Sequence, residues 1–204
     1  MEKIQEIIVA TQNAGKVKEI SQAMRHLPIK VLSLADCGTF PEPIENGGTF
    51  EENALLKARY YAALTGKPCL ADDSGLEVDS LGKAPGVYSA RYAGEHATDK
   101  ENNHKLLQAL AAMPEAKRTG RFRCVLALVE SGDLHGFVLT TEGVCEGEIL
   151  QQPRGEHGFG YDPLFFMPKL NKTLAEVTVE EKNQISHRGQ ALGKLVDKLQ
   201  EYLK

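Results

Sequence analysis

The chain has 204 residues, 42% of them apolar, which suffices for a sizeable core in one domain or two small lobes and excludes a disordered chain. Its net charge of −4, from 28 acidic against 24 basic residues, excludes general attraction to nucleic acid or acidic lipid, so any polyanion must meet locally gathered Lys and Arg. Cys37, Cys69, Cys124 and Cys145 form no C-x-x-C pair, and three of them lie in apolar strand-like runs, so they read as free thiols of a cytoplasmic protein. Met1-Glu2-Lys3-Ile4 has neither the basic nor the apolar region of a signal peptide, and no window approaches the roughly 18 apolar residues of a membrane span.

Ile7-Ile8-Val9-Ala10 predicts a short strand, and Val17, Ile20, Met24 and Leu27 then recur at helical spacing. Thr11-Gln12-Asn13-Ala14-Gly15-Lys16 joins the two, where backbone N–H groups, the helix dipole and the Lys16 ammonium can converge on phosphate. It is not a Walker A loop, lacking both the first Gly and a Ser or Thr after Lys16; the alternative is an ordinary βα turn. Residues 29–34 predict a second strand, and residues 36–48, rich in Pro and Gly, a long loop. Thr49-x-x-Glu52 is a capping box that opens a helix to Thr65, closed by Gly66 and followed by Pro68. The same pattern at Thr98–Glu101, Thr173–Glu176 and Thr178–Glu181 predicts further helix starts. Glu52 is thereby occupied, whereas Glu45 in the loop could join Asp73 on a hard cation such as Mg²⁺. Lys57 reads either as a solvated face residue or as a phosphate contact.

Ala71-Asp72-Asp73-Ser74-Gly75 places two adjacent carboxylates where the apolar segment 68–71 is expected to break into a turn. Successive strand side chains face opposite sides, so only one of the pair lines a given cleft; Asp73 is assigned there, with Asp72 supporting it from behind. The alternative is an Asp-Ser-Gly turn bonding its own backbone. Arg91, within Tyr88–Gly94, shares the ambiguity of Lys57. Phe122–Val129 and Gly136–Thr141 predict a β-hairpin around Ser131-Gly132-Asp133. Gly158-Phe159-Gly160-Tyr161-Asp162-Pro163 can bring backbone and a ring face against a planar ligand, because Pro163-Leu164-Phe165-Phe166 supplies the adjoining core. Ser186 is placed as N-cap of a final amphipathic helix through Leu192, Leu195, Val196 and Leu199. Arg188 in its first turn opposes the helix dipole unless it serves an anion or an acceptor oxygen; the alternative is a solvated surface pair with His187. No linker divides the chain, which reads as α/β with a mixed sheet.

Taken in order, Thr11–Lys16, Thr49-Phe50-x-Glu52-Asn53-Ala54, Ala71–Leu76, Pro85-Gly86-x-Tyr88-Ser89-Ala90-Arg91-Tyr92, Gly158–Pro163 and Ser186-His187-Arg188 resemble the inosine triphosphate pyrophosphatase family, in particular its bacterial branch. Gln12 departs from the Gly that many members carry. The resemblance implies an α/β domain over residues 1–204, with an elongated mixed β-sheet flanked by helices and two lobes with a central cleft, assembled as a homodimer. It implies Mg²⁺-dependent hydrolysis of non-standard purine nucleoside triphosphates (ITP, dITP and XTP) to the monophosphate and pyrophosphate, which cleanses the nucleotide pool. By the same match Asp73 is the proton acceptor and a metal ligand, with Glu45 as second ligand. Thr11, Gln12, Asn13, Ala14, Gly15, Lys16, Ser74, Phe159, Gly160, Tyr161, Asp162, Lys182, His187 and Arg188 contact substrate, and Lys57 helps hold the phosphate chain.

The residue chemistry agrees with that assignment. Cations neutralise a triphosphate, a carboxylate orients or deprotonates water, and pyrophosphate leaves. Donors near His187 and Arg188 suit a 6-oxo purine and oppose the 6-amino group of ATP. On this expectation Asp73, Lys16 and Arg188 meet around one phosphate linkage. Two other readings are a nucleotide-sensing module without turnover, for which a carboxylate in the cleft has no use, and a pyrophosphatase for modified pyrimidines.

Overall fold

The computed structural model describes residues 4–113, 117–130 and 137–203. Its strands are β1 (Glu6–Val9), β2 (Lys30–Ser33), β3 (Cys69–Val78), β4 (Thr119–Val129), β5 (Val138–Ile149), β6 (Phe165–Met167) and β7 (Lys172–Thr173). Its α-helices are α1 (Ala14–Met24), α2 (Leu34–Cys37), α3 (Phe50–Thr65), α4 (Asp99–Ala111), α5 (Val179–Ile185) and α6 (His187–Leu203). The strands form one open mixed sheet in the order β2-β1-β3-β4-β5-β6-β7. β1 runs parallel to both β2 and β3, while β6 is antiparallel to β5 and β7. The expected α/β class with a mixed sheet and flanking helices is thus observed.

The chain divides into two compact units. The first comprises Met1–Asp73, Cys124–Gly143 and Arg188–Lys204; the second comprises Ser74–Arg123 and Val144–His187. Each has its own core. In the first, Ile7, Val9, Ile20, Met24, Leu70, Leu126, Leu128 and the α6 stripe Leu192, Leu195, Leu199 pack together. In the second, Leu76, Val78, Leu106, Leu110, Phe122, Tyr161, Phe165 and Leu174 do so. Burying a side chain of this size contributes about 1.5–3 kcal/mol, so each cluster anchors its own elements.

Local signals in the sequence explain most element boundaries. All four Thr-x-x-Glu boxes are formed, at Thr49, Thr98, Thr173 and Thr178, each with reciprocal side-chain to backbone bonding; the one at Thr173 opens a 3₁₀ turn. α3 ends at Gly66 in the left-handed region, as a Gly before Pro68 predicts. A fifth box, Ser33 with Asp36, opens α2 inside the stretch expected to begin a loop. The hairpin expected between 122 and 141 is present: β4 and β5 are neighbours, and Glu130 N–H donates to Phe137 O at 3.0 Å. A connection that short joins only antiparallel strands. Its expected turn, Ser131-Gly132-Asp133, lies outside the described residues.

One expectation is overturned. Asp72-Asp73-Ser74-Gly75 is no turn, because β3 runs straight through it. The pairing of β3 with β1 stops at Leu70, but β4 is its other hydrogen-bonded neighbour, and a ladder partner overrides the turn preference of Asp, Ser and Gly. The carboxylates therefore stand in mid-strand rather than at a strand end. All four cysteines are free thiols, and burial pushes Cys69 and Cys145 up to about 11. No described helix is long and apolar enough to cross a membrane.

Candidate active site

The sheet order creates the first half of the site. From β1 the chain passes through α1 to β2 on one side, and then through α3 to β3 on the other. Such a reversal opens a crevice beyond the carboxyl ends of the parallel strands, where ligands of open α/β sheets bind. The Thr11–Lys16 turn follows β1 there. Asp72 and Asp73 lie two and three residues beyond Leu70, the partner of Val9. Asn13 is the N-cap of α1 and accepts from Lys16 N–H at 3.0 Å; its own N–H donates to Thr11 Oγ1 at 3.2 Å. Gln12, Asn13 and Ala14 are exposed, and Thr11, Gly15 and Lys16 half-buried, so the turn presents its face to a ligand.

Strand alternation separates the two acids as expected, but the basic partners divide unequally. Lys16 Nζ pairs with Asp72 Oδ1, and Arg188 Nε donates to Asp72 Oδ2 at 2.7 Å. Arg188 also donates from Nη1 to Glu19 Oε2 at 2.6 Å, and the Cys124 thiol to Asp72 Oδ2 at 3.3 Å. Arg188 and Asp72 are each 1% exposed. Burial opposes ionisation of Asp72, yet Arg188 and Lys16 overcome it and hold the carboxyl well below its ordinary range. Against the same burial, Asp72 and Glu19 hold the Arg188 guanidinium firmly protonated. Asp72 is thus the hub of a closed cluster, and Arg188 answers the helix dipole by serving carboxylate oxygens. Lys16 and Arg188 therefore join Asp72, the acid assigned a supporting role, rather than closing directly on Asp73.

Asp73 has a different neighbourhood. Lys57, on α3, donates to Asp73 Oδ1 at 2.8 Å and to Glu45 Oε2 at 3.0 Å. Burial would lower the Lys57 pKa, but the two carboxylates raise it, so the ammonium stays charged. Burial likewise lifts Asp73 above the ordinary carboxyl range, against the pull of Lys57 and Lys16. Its second oxygen, Oδ2, is buried and has no hydrogen-bond partner among the described residues. A buried orphan acceptor costs about 1–3 kcal/mol, so its retention points to a water or cation ligand. No group of three or more His, Cys, Asp and Glu suited to a metal occurs among the described residues. Glu45 and Asp73, with that spare oxygen, fit a hard cation that takes its remaining ligands from water and phosphate.

The other residues singled out lie in the second unit. Ser74 follows Asp73 on β3 and is half-buried. Gly158 and Gly160 take φ values of +77° and +61°, and a Cβ at Gly158 would collide with the Asp162 carboxylate. Asp162 is buried; its Oδ2 accepts from Phe159 N–H at 2.9 Å and from Lys182 Nζ at 2.6 Å. Lys182 also lies over the Phe159 ring, 4.6 Å from its centroid. One carboxylate thereby sets the turn, and one ammonium steadies the ring. Tyr161 is buried and its hydroxyl donates to Ser89 O at 2.8 Å; burial pushes the phenol pKa up and keeps that proton in place. The buried His187 imidazole stacks on Phe122 at 4.6 Å with 14° between the planes, which fixes its orientation. Arg91 lies over the exposed Tyr88 ring, 5.3 Å from its centroid.

The sequence model of the Ham1 family matches residues 7–198. The chain belongs to the Ham1 family. It is 53% identical to the dITP/XTP pyrophosphatase of Geobacter sulfurreducens, over 95% of this chain and 96% of that protein. It is also 53% identical to the dITP/XTP pyrophosphatase of Exiguobacterium sibiricum, over 97% and 98% of the two chains. The solved structure of a Ham1 protein from Coxiella burnetii superposes with a TM-score of 0.87 at 47% identity, covering 97% of this chain and all of the other. The family resemblance read from the six motifs is borne out.

Several residues of these clusters were not assigned from sequence. Glu19 carries a signal, because Lys16, Glu19, Ile20 and Met24 share the helical stripe that meets the core, where a charge requires a partner. Phe122 and Cys124 read only as strand formers. That Asp72 would be the one neutralised by Lys16 and Arg188 has no local signature.

Proposed function

We infer that this Ham1 chain is a nucleoside triphosphate pyrophosphatase that hydrolyses deaminated purine nucleotides, ITP, dITP and XTP, to the monophosphate and pyrophosphate. Family membership and relatives named dITP/XTP pyrophosphatase support the activity. The observation that carries the mechanism is Asp73, a buried carboxylate with one oxygen on Lys57 and the other unpartnered among the described residues, three residues past Leu70, which pairs with the last residue of β1. Asp73 takes the proton of the attacking water, a role served by its raised pKa, and Lys57 holds its orientation. The exposed backbone of Thr11–Lys16 and the Lys16 ammonium receive phosphate oxygens. Glu45 and Asp73 would hold Mg²⁺, which supplies charge neutralisation at the phosphoryl oxygens when bound. Arg188 contributes through Asp72, which it fixes together with Lys16.

The second unit carries the base-reading set. Phe159 offers a ring face, and His187 and Lys182 offer donors to a 6-oxo group, where the 6-amino group of adenine would set donor against donor. A site built to hydrogen-bond one group rejects the analogue lacking it by up to about 10⁴-fold. We propose that the enzyme works in the cytoplasm as a homodimer, where reduced thiols persist and nucleotide pools turn over.

The decisive test is pyrophosphate release from XTP, dITP, ITP, GTP and ATP, with Mg²⁺ and with excess chelator. Expected are release from the first three far above the last two, and its loss with chelator. Equal efficiencies across the panel would defeat the selectivity, and tight binding without release would make the protein a nucleotide sensor.

A further inference from the structure

Both backbone polar groups of Gly160 are held by one helix. Gly160 N–H donates to Asp99 Oδ2 at 2.7 Å, and Asn103 Nδ2 donates to Gly160 O at 2.9 Å. Asp99 and Asn103 are four residues apart on α4, so they project side by side from one face. The glycine they grip has φ +61° and open space where a side chain would be, so it contributes no packing of its own. A loop with two glycines in the left-handed region is soft, and its geometry must come from outside. Tyr161, one residue on, is tied to Ser89 O.

Asn103 carries a further mark. Its Oδ1 is buried with no hydrogen-bond partner among the described residues, so the carboxamide costs the fold desolvation that an aliphatic side chain would avoid. The Gly160 bond is what that side chain achieves. A residue that is locally unfavourable yet makes one directed contact to a recognition loop is the pattern expected of a functional constraint.

We propose that Asp99 and Asn103 are positioning residues for purine discrimination. They do not touch substrate; they fix the Gly160 backbone, and with it the Phe159 ring and the Lys182 ammonium seated over that ring. The inference rests on the base-reading role assigned above to this loop. Discrimination by hydrogen bonds requires donors held to a fraction of an ångström, and a loop gripped at one residue by two rigid helical side chains meets that demand.

The test is steady-state kinetics of the full-length protein with dITP, XTP, GTP and ATP for Asp99→Ala, Asp99→Asn and Asn103→Leu. Asp99→Ala and Asn103→Leu are expected to lower the kcat/KM ratio of dITP over GTP by about tenfold, the scale of one lost hydrogen bond. Asp99→Asn, whose amide oxygen can still accept from Gly160 N–H, is expected to restore the wild-type ratio. A selective wild type whose two truncating variants keep its ratio, even with lower activity on every nucleotide, overturns this proposal alone. A wild type that releases pyrophosphate from none of the four overturns the functional reading and this inference with it.

Discussion

Asp72 and Asp73 are neighbours on one strand, yet they end in opposite conditions. Asp72 faces Lys16, Arg188 and Cys124, and every interaction there holds its negative charge. Asp73 shares a single ammonium with Glu45 and keeps one oxygen unpartnered. Burial is similar on the two faces; what differs is how completely charge is answered. A fully answered carboxylate is a structural strut that cannot move a proton near neutral pH, whereas an under-answered one retains proton affinity and room for a ligand.

The comparison can be broken most directly at Arg188. Removing it by Arg188→Met strips Asp72 and Glu19 of their shared buried partner, and the expected loss is about 3–5 kcal/mol of folding free energy. Urea denaturation measures it; a midpoint near wild type would show that Asp72 is no strut. Asp73→Asn is expected to act the other way round. Turnover should fall by about 10²–10⁴-fold, the usual worth of a general base, while the urea midpoint moves far less than for Arg188→Met. Retained pyrophosphate release would remove Asp73 from the chemistry.

The smallest effect concerns acid. The folded pKa of Asp72 lies well below the ordinary carboxylate value of about 3.9, so its contribution to stability is complete above that value and disappears as pH falls through the folded one. Urea midpoints of the wild type should therefore drop as the pH falls below about 4. Asp72→Asn, which has no proton to take up, should start from a lower stability and lose less over the same interval. A parallel decline in both proteins would place the acid-sensitive group elsewhere.

Much of this molecule was legible residue by residue. The four Thr-x-x-Glu boxes and the Gly66 stop rest on bonds within a few residues of one another, so the local sequence contains both partners, and the α6 stripe and the β1 run showed in their apolar spacing. The odd placement of Arg188 was visible too, as a cation at the wrong end of a helix. Asp99 and Asn103 were not, because their partner Gly160 lies far along the chain, and a polar helix face looks the same whether it meets water or a loop.

By itself the sequence determined that Asp72 and Asp73 face opposite ways on any strand that contains them, since a strand alternates its side chains by covalent geometry. It could not settle that these residues form a strand at all: β4, distant along the chain, supplies the ladder partner that suppresses the turn that Asp, Ser and Gly would otherwise make. Nor could it decide which acid receives Lys16 and Arg188 and which receives Lys57. That depends on where α1, α3 and α6 deliver their cations, and charge pairing is a property of distance in space rather than of order along the chain.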